Sequence, residues 1–60
     1  YVESFVGKTL QLLTEDMEQG YMCGYSEQYI KCYTQGGQSD CLYDVKVEKA
    51  QDGIAYCKIL

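Results

Sequence analysis

Residues 41–57 read CLYDVKVEKAQDGIAYC and carry the clearest pattern in the chain. Tyr43, Val45 and Val47 alternate with Asp44, Lys46 and Glu48, and Ala55, Cys57 and Ile59 alternate with Tyr56 and Lys58. Alternation with a period of two puts one face of a strand on a core and the other in water. Gln51-Asp52-Gly53 lies between the two runs and reads as a three-residue hairpin loop, with Gly at the left-handed position. Pairing Ala50 with Ile54 sets Val47 opposite Cys57 and Val45 opposite Ile59. The apolar faces then coincide, and a slip of one residue would separate them.

Upstream of this hairpin, Gly36-Gly37-Gln38-Ser39-Asp40 is a turn or loop. The segment before it, 21–35, supports two readings. Ser26 is a good N-cap for a helix ended by Gly36-Gly37. Its tyrosines and Ile30 favour a strand by propensity, and the strand reading is preferred. Such a strand would pair with 41–47, placing Cys32 opposite Cys41 and Ile30 opposite Tyr43. Further back, Val2, Phe5, Val6, Leu10, Leu13 and Met17 follow helical spacing, and Gly20 is placed to stop a helix. Read as a strand, the same segment scatters its apolar residues over both faces. The expected fold is therefore α+β, one domain over 1–60. One amphipathic helix packs on a small antiparallel sheet of three to four strands.

Four cysteines at 23, 32, 41 and 57 suit a chain this short. Sixty residues bury only about 60% of their unfolded surface and are marginal without cross-links. No paired-Cys knuckle and no His is present, so no zinc site is expected and no cofactor is implied. Two disulfides are expected instead. The hairpin register separates Cys41 from Cys57 by about 20 Å at strand rise, beyond the ~7 Å that a disulfide tolerates. That leaves Cys23–Cys57 with Cys32–Cys41, which suits the strand reading of 21–35, or Cys23–Cys41 with Cys32–Cys57. Disulfides imply an oxidising compartment, and a chain beginning at Tyr1 rather than Met reads as a trimmed product that has lost its leader; a secreted protein is the expectation.

Chemistry is sparse. Without His the usual neutral-pH general base is missing, and Ser4, Ser26 and Ser39 have nothing to activate them. Asp44 and Glu48 fall on the solvent face of the hairpin, Asp52 belongs to its turn, and Glu15, Asp16 and Glu18 lack the ligand spacing of a calcium loop. No enzyme is expected. A net charge of −4, with five Lys and no Arg, disfavours nucleic acid as a partner. No apolar run approaches the ~20 residues of a membrane span. Seven tyrosines in sixty residues are the compositional surplus. Tyr supplies contact area with a polar tip, which suits recognition surfaces, and Tyr29, Tyr33 and Tyr56 are the candidate binding residues.

Two resemblances are coarse. The order of a helix, then strands, with cysteines in the last third resembles cystatin-type protease inhibitors, but there is no QxVxG loop and no Pro-Trp hairpin. Tyr21-Met22-Cys23 before a capped turn is similar to the Y-x-C start of fungal ribonuclease-like secreted effectors; with no His, a catalytic ribonuclease is not implied. The expected function is that of a small secreted binding protein of effector, toxin or inhibitor type, acting on a protein target. The alternative is one chain of a processed heteromer whose core a partner chain completes.

Overall fold

The computed structural model describes residues 2–60 and is all-β, so Tyr1 lies outside the described residues. A 3₁₀ turn at Val2–Phe5 is followed by strands β1 (Thr9–Glu18), β2 (Tyr21–Ser26), β3 (Lys31–Thr34), β4 (Leu42–Gln51) and β5 (Ile54–Ile59). The strands close into a barrel in the order β1-β2-β3-β5-β4, with β4 returning to β1. Every pairing is antiparallel except β3 with β5.

The β4–β5 hairpin has the expected inner register, Val47 opposite Cys57 and Val45 opposite Ile59. Its turn is one residue tighter than the spacing suggested. Gln51 pairs with Ile54, and Asp52-Gly53 alone makes the loop. Both loop residues have positive φ, 55° and 76°, as a two-residue turn twisted with its strands requires. A bulge between Val47 and Lys49 absorbs the difference.

The amphipathic helix expected over residues 2–17 is absent, and the α+β expectation is overturned. Only Val2–Phe5 turns helically, and β1 occupies the rest. Along β1 the inward residues are Leu10, Leu12 and Thr14, while Leu13 and Met17 lie outside, 48% and 59% exposed. Helical spacing therefore leaned on three apolar residues that never enter the core, Leu13 and Met17 on β1 and Val6 before it. Thr14 is fully buried yet satisfied: its hydroxyl donates to the Gln38 carbonyl and accepts from the Cys41 amide at 3.0 Å. It ties the 35–41 loop to β1.

The 21–35 segment is two strands, not one. β3 lies between β2 and β5, so Cys32 is nowhere opposite Cys41. Ser26 does cap, but it caps a turn. Its Oγ accepts from the amides of Gln28 (3.2 Å) and Ile30 (3.3 Å), and the turn sends Ile30 into the core.

The core comprises Leu10, Leu12, Val45, Val47, Ala55, Cys32 and Cys57, with Ile30 and Val2 added from the loop and the 3₁₀ turn. Gly24 on β2 faces the bulge of β1, where the register shifts between Thr14 and Asp16. A Cβ at Gly24 would fall 2.0 Å from the Leu13 carbonyl oxygen, so this position admits no side chain.

All four cysteines are free, which overturns the expected staples. Cys23 pairs with Tyr33 and so shares the outer face, whereas Cys57 points into the core. β3 and β4 are separated by β5, which parts Cys32 from Cys41. Cys32 and Cys57 do share the core face of neighbouring strands, but Cys32 pairs with Ala55 and stands two residues out of register with Cys57. Strand spacing and rise put their Cα atoms about 8 Å apart, outside disulfide range.

Candidate functional site

The outer face of β2, β3 and β5 gathers three tyrosines. Tyr33 pairs with Tyr56 in the parallel β3–β5 register, and Tyr21 stands at the start of β2, two residues before the partner of Tyr33. Tyr21 stacks on Tyr33 with ring centroids 5.4 Å apart and planes 20° from parallel. Tyr56 meets both edge-on, at 5.8 Å from Tyr21 and 5.6 Å from Tyr33. These are favoured aromatic geometries, each contributing roughly 0.5–1.5 kcal/mol beyond simple burial. Tyr33 is the buried wedge of the trio, and Tyr21 and Tyr56 are half-buried.

Lysines surround the rings. Lys49 Nζ lies 5.0 Å from the Tyr56 ring centroid and Lys31 Nζ 5.6 Å from that of Tyr33, both within cation–π range. Lys58 lines the same depression, an open cavity of about 410 Å³ whose wall also includes Tyr21, Tyr33, Tyr56, Lys49 and the carboxylate of Glu48. Glu18, at the end of β1, organises one edge. Its Oε1 accepts from the Tyr33 hydroxyl at 3.0 Å and from Lys31 Nζ at 3.1 Å. Lys31 and Tyr33 hold the Glu18 carboxyl below its usual value, and Glu18 in turn raises both Lys31 and Tyr33.

Two of the three expected binding tyrosines, Tyr33 and Tyr56, are thus brought together, and Tyr29 is not. Tyr29 sits in the β2–β3 loop, 88% exposed, beside Leu13 and Tyr25. Tyr21 is the member that sequence reasoning missed. Its signal was the Tyr21-x-Cys23-x-Tyr25 alternation, hidden while 21–35 was read as one element.

No protein-family model matches the chain, and no curated protein matches it.

The core thiols of Cys32 and Cys57 share a hydrogen bond that lowers the pKa of the first and raises that of the second. Burial raises the Cys23 thiol and adds to the rise at Cys57. Among the described residues, no cluster of three or more His, Cys, Asp or Glu is arranged to hold a metal. Nor is any helix long and apolar enough to cross a membrane. The face gathers aromatic rings, hydroxyl tips, ammonium groups and the carboxylates of Glu18 and Glu48.

Proposed function

We propose that this barrel is a non-catalytic binding module that takes single-stranded nucleic acid on the Tyr21/Tyr33/Tyr56 face. The observation that carries the reading is the interleaving of an aromatic cluster with Lys31, Lys49 and Lys58 on one side of the barrel. Aromatic rings stack bases of any identity, and lysines track the backbone between them. The net charge of −4 argued against a polyanion, but charge acts locally at this range. Three of the five lysines gather at these rings, against the two carboxylates Glu18 and Glu48, so the face keeps a small local excess of positive charge.

The architecture adds support by analogy. Five strands closed in Greek-key fashion describe the OB-type barrels, many of which bind oligonucleotides or oligosaccharides on the β2–β3 face. That is a likeness of layout; the side chains on this face carry the functional reading. Every strand already has two neighbours, so the barrel offers a partner no edge to complete, which weighs against a heteromer sharing its core. The extracellular expectation drew its support from disulfides; four free thiols fit a reducing compartment better. Contact with a protein target through the same tyrosines is the competing proposal.

Fluorescence anisotropy with labelled eight-nucleotide RNA and DNA separates the two. Tyr56→Ala should weaken binding about 5- to 150-fold, the equivalent of ~1–3 kcal/mol for one stacked base. Lys31 is held by Glu18, so contacts from Lys49 and Lys58 predict a log–log salt slope of about −1.4 for a single strand. Failure of either oligonucleotide to bind, or equal binding by Tyr56→Ala, would sink the nucleic-acid reading.

A further inference from the structure

We propose that Lys31 Nζ and the Tyr33 hydroxyl form a subsite for the terminal phosphate of a nucleic-acid strand, and that Glu18, which fills it in the free protein, makes it selective for a chain end over the phosphodiester backbone. The subsite belongs to the nucleic-acid reading of the tyrosine face and rests on it. Two donors converge there on one oxygen: Glu18 Oε1 accepts from the Tyr33 hydroxyl at 3.0 Å and from Lys31 Nζ at 3.1 Å. The Cys23 thiol adds a weaker hydrogen bond to the same carboxylate. Register assembles the cradle. Lys31 and Tyr33 stand two apart on one face of β3, Cys23 lies opposite Tyr33, and Glu18 closes the β1–β2 ladder opposite Tyr21. An ammonium and a hydroxyl aimed at one anionic oxygen are donors that phosphate oxygens take as readily as a carboxylate does.

The cradle adjoins the rings. Lys31 Nζ lies 5.6 Å from the Tyr33 ring centroid, and Tyr33 touches both Tyr21 and Tyr56. A base stacked on either half-buried ring brings its own phosphate toward the Tyr33 hydroxyl. The occupant is also free to leave. The Glu18 side chain is 46% exposed and that of Lys31 32%. Glu18 ends β1 at the two-residue Gln19-Gly20 turn, so its side chain can swing into water while the strand pairing stays. A pair this exposed is held weakly.

Charge decides which phosphate can take the place of Glu18. A phosphodiester carries one negative charge, as the carboxylate does, and the carboxylate is tethered beside its donors. Exchange then gains nothing in charge and forfeits the high effective concentration of the tether. A side-chain carboxylate of a protein partner fails for the same reason. A terminal phosphomonoester carries about −1.5 to −2 charges at neutral pH and offers three acceptor oxygens, so it draws the two donors away. The interior of the strand is left to Lys49 and Lys58, which line the depression away from Glu18.

The test is fluorescence anisotropy with an eight-nucleotide RNA labelled at one end and carrying a phosphate or a hydroxyl at the other. The phosphorylated strand should bind about 3- to 10-fold more tightly, the scale of charge-assisted hydrogen bonds won from a surface ion pair. Lys31→Met keeps the aliphatic stem and should abolish that preference. Glu18→Gln keeps the shape and deletes the charge, so the hydroxyl-ended strand should bind more tightly and the preference should narrow. Its log–log salt slope should steepen from about −1.4 to about −2.1 as Lys31 joins Lys49 and Lys58. Equal binding of the two strands by the unmodified protein would overturn the proposal, as would a preference that survives Lys31→Met. Tighter binding of a short phosphoserine peptide than of the phosphorylated strand would overturn the choice of a strand end. A ¹⁵N HSQC titration with inorganic phosphate, against chloride at matched ionic strength, reads the subsite without the rings. Saturable shifts at the amides of Glu18, Lys31 and Tyr33 that Lys31→Met removes would uphold the phosphate subsite should the nucleic-acid reading fail, and their absence would sink it. Oligonucleotides bound with no preference for a phosphorylated end would leave that reading standing and the subsite refuted.

Discussion

Strand β2 serves two outer faces built from the same residue type in opposite ways. Tyr21, at one end, joins Tyr33 and Tyr56 among lysines, and the Tyr33 hydroxyl at that site is engaged by Glu18. Tyr25, at the other end, lies beside Leu13, which is itself flanked by Leu42. The first face is an organised polar-aromatic surface, with its rings locked by each other and by ions. The second is a row of apolar groups that the barrel leaves uncovered. A tyrosine's role is thus set by what the register places next to it, and composition alone does not distinguish the two.

The largest effect should come from breaking both faces at once. Gly24 lies on β2 between Tyr21 and Tyr25, and a Cβ there meets the Leu13 carbonyl carbon at 2.8 Å as well as its oxygen. Backbone cannot step aside as a flexible side chain can. Gly24→Ala should therefore cost about 3 kcal/mol or more, the upper range for overpacking. Urea denaturation measures it, and a loss under about 1 kcal/mol would show that the β1 bulge relaxes.

The two faces should respond differently to single truncations. Tyr33 is 6% exposed and wedged between two rings, so Tyr33→Ala should destabilise by about 3 kcal/mol. Leu42→Ser removes a far more exposed group but should stay within about 0.5 kcal/mol, as surface changes do. Comparable losses from both variants would erase the distinction between an organised face and an uncovered one. The thiols provide a third contrast. Cys41 is half-buried, and Cys23, Cys32 and Cys57 are buried. Iodoacetamide should modify Cys41 first in the native protein and all four after unfolding, with an intact mass equal to the fully reduced formula. A mass lower by two protons per pair would restore a disulfide.

What could be read from the chain follows local geometry. The β4–β5 hairpin was legible because its alternation and its Asp-Gly turn agree, and the bulge after Val47 kept the inner register despite a tighter loop. β1 was not legible. A strand in a small closed barrel can carry Leu13 and Met17 outward and a hydrogen-bonded Thr14 inward, which inverts the hydrophobic signal. The cysteines misled because a small core needs support. Here closure of the sheet supplies it by pairing every strand twice. At the site, Tyr33 and Tyr56 were recoverable as residues, but their neighbourhood was not. The parallel β3–β5 pairing joins segments more than twenty residues apart, and no local pattern encodes it.

The smallest predicted effect concerns Glu18, which tests whether the organised face is held together as drawn. The hydrogen bond from Lys31 is the largest influence on the Glu18 carboxyl, followed by that from Tyr33; both act to lower its pKa below the usual 4.5. A carboxyl whose folded pKa is depressed contributes stability above its unfolded pKa and loses it as pH falls through the folded one. The contribution should thus be whole at neutral pH and fade below about 4.5. Carboxyl-carbon NMR should place Glu18 below the usual glutamate value. Tyr33→Phe keeps the ring stacking and deletes one donor, so Glu18 should move part of the way back up while the Lys31 contact holds the remainder. If Glu18 titrates normally in the unmodified protein, its carboxylate leaves Tyr33 and Lys31 free in solution. The hydroxyl and ammonium would then be open to a ligand, strengthening the phosphate-binding character of that edge.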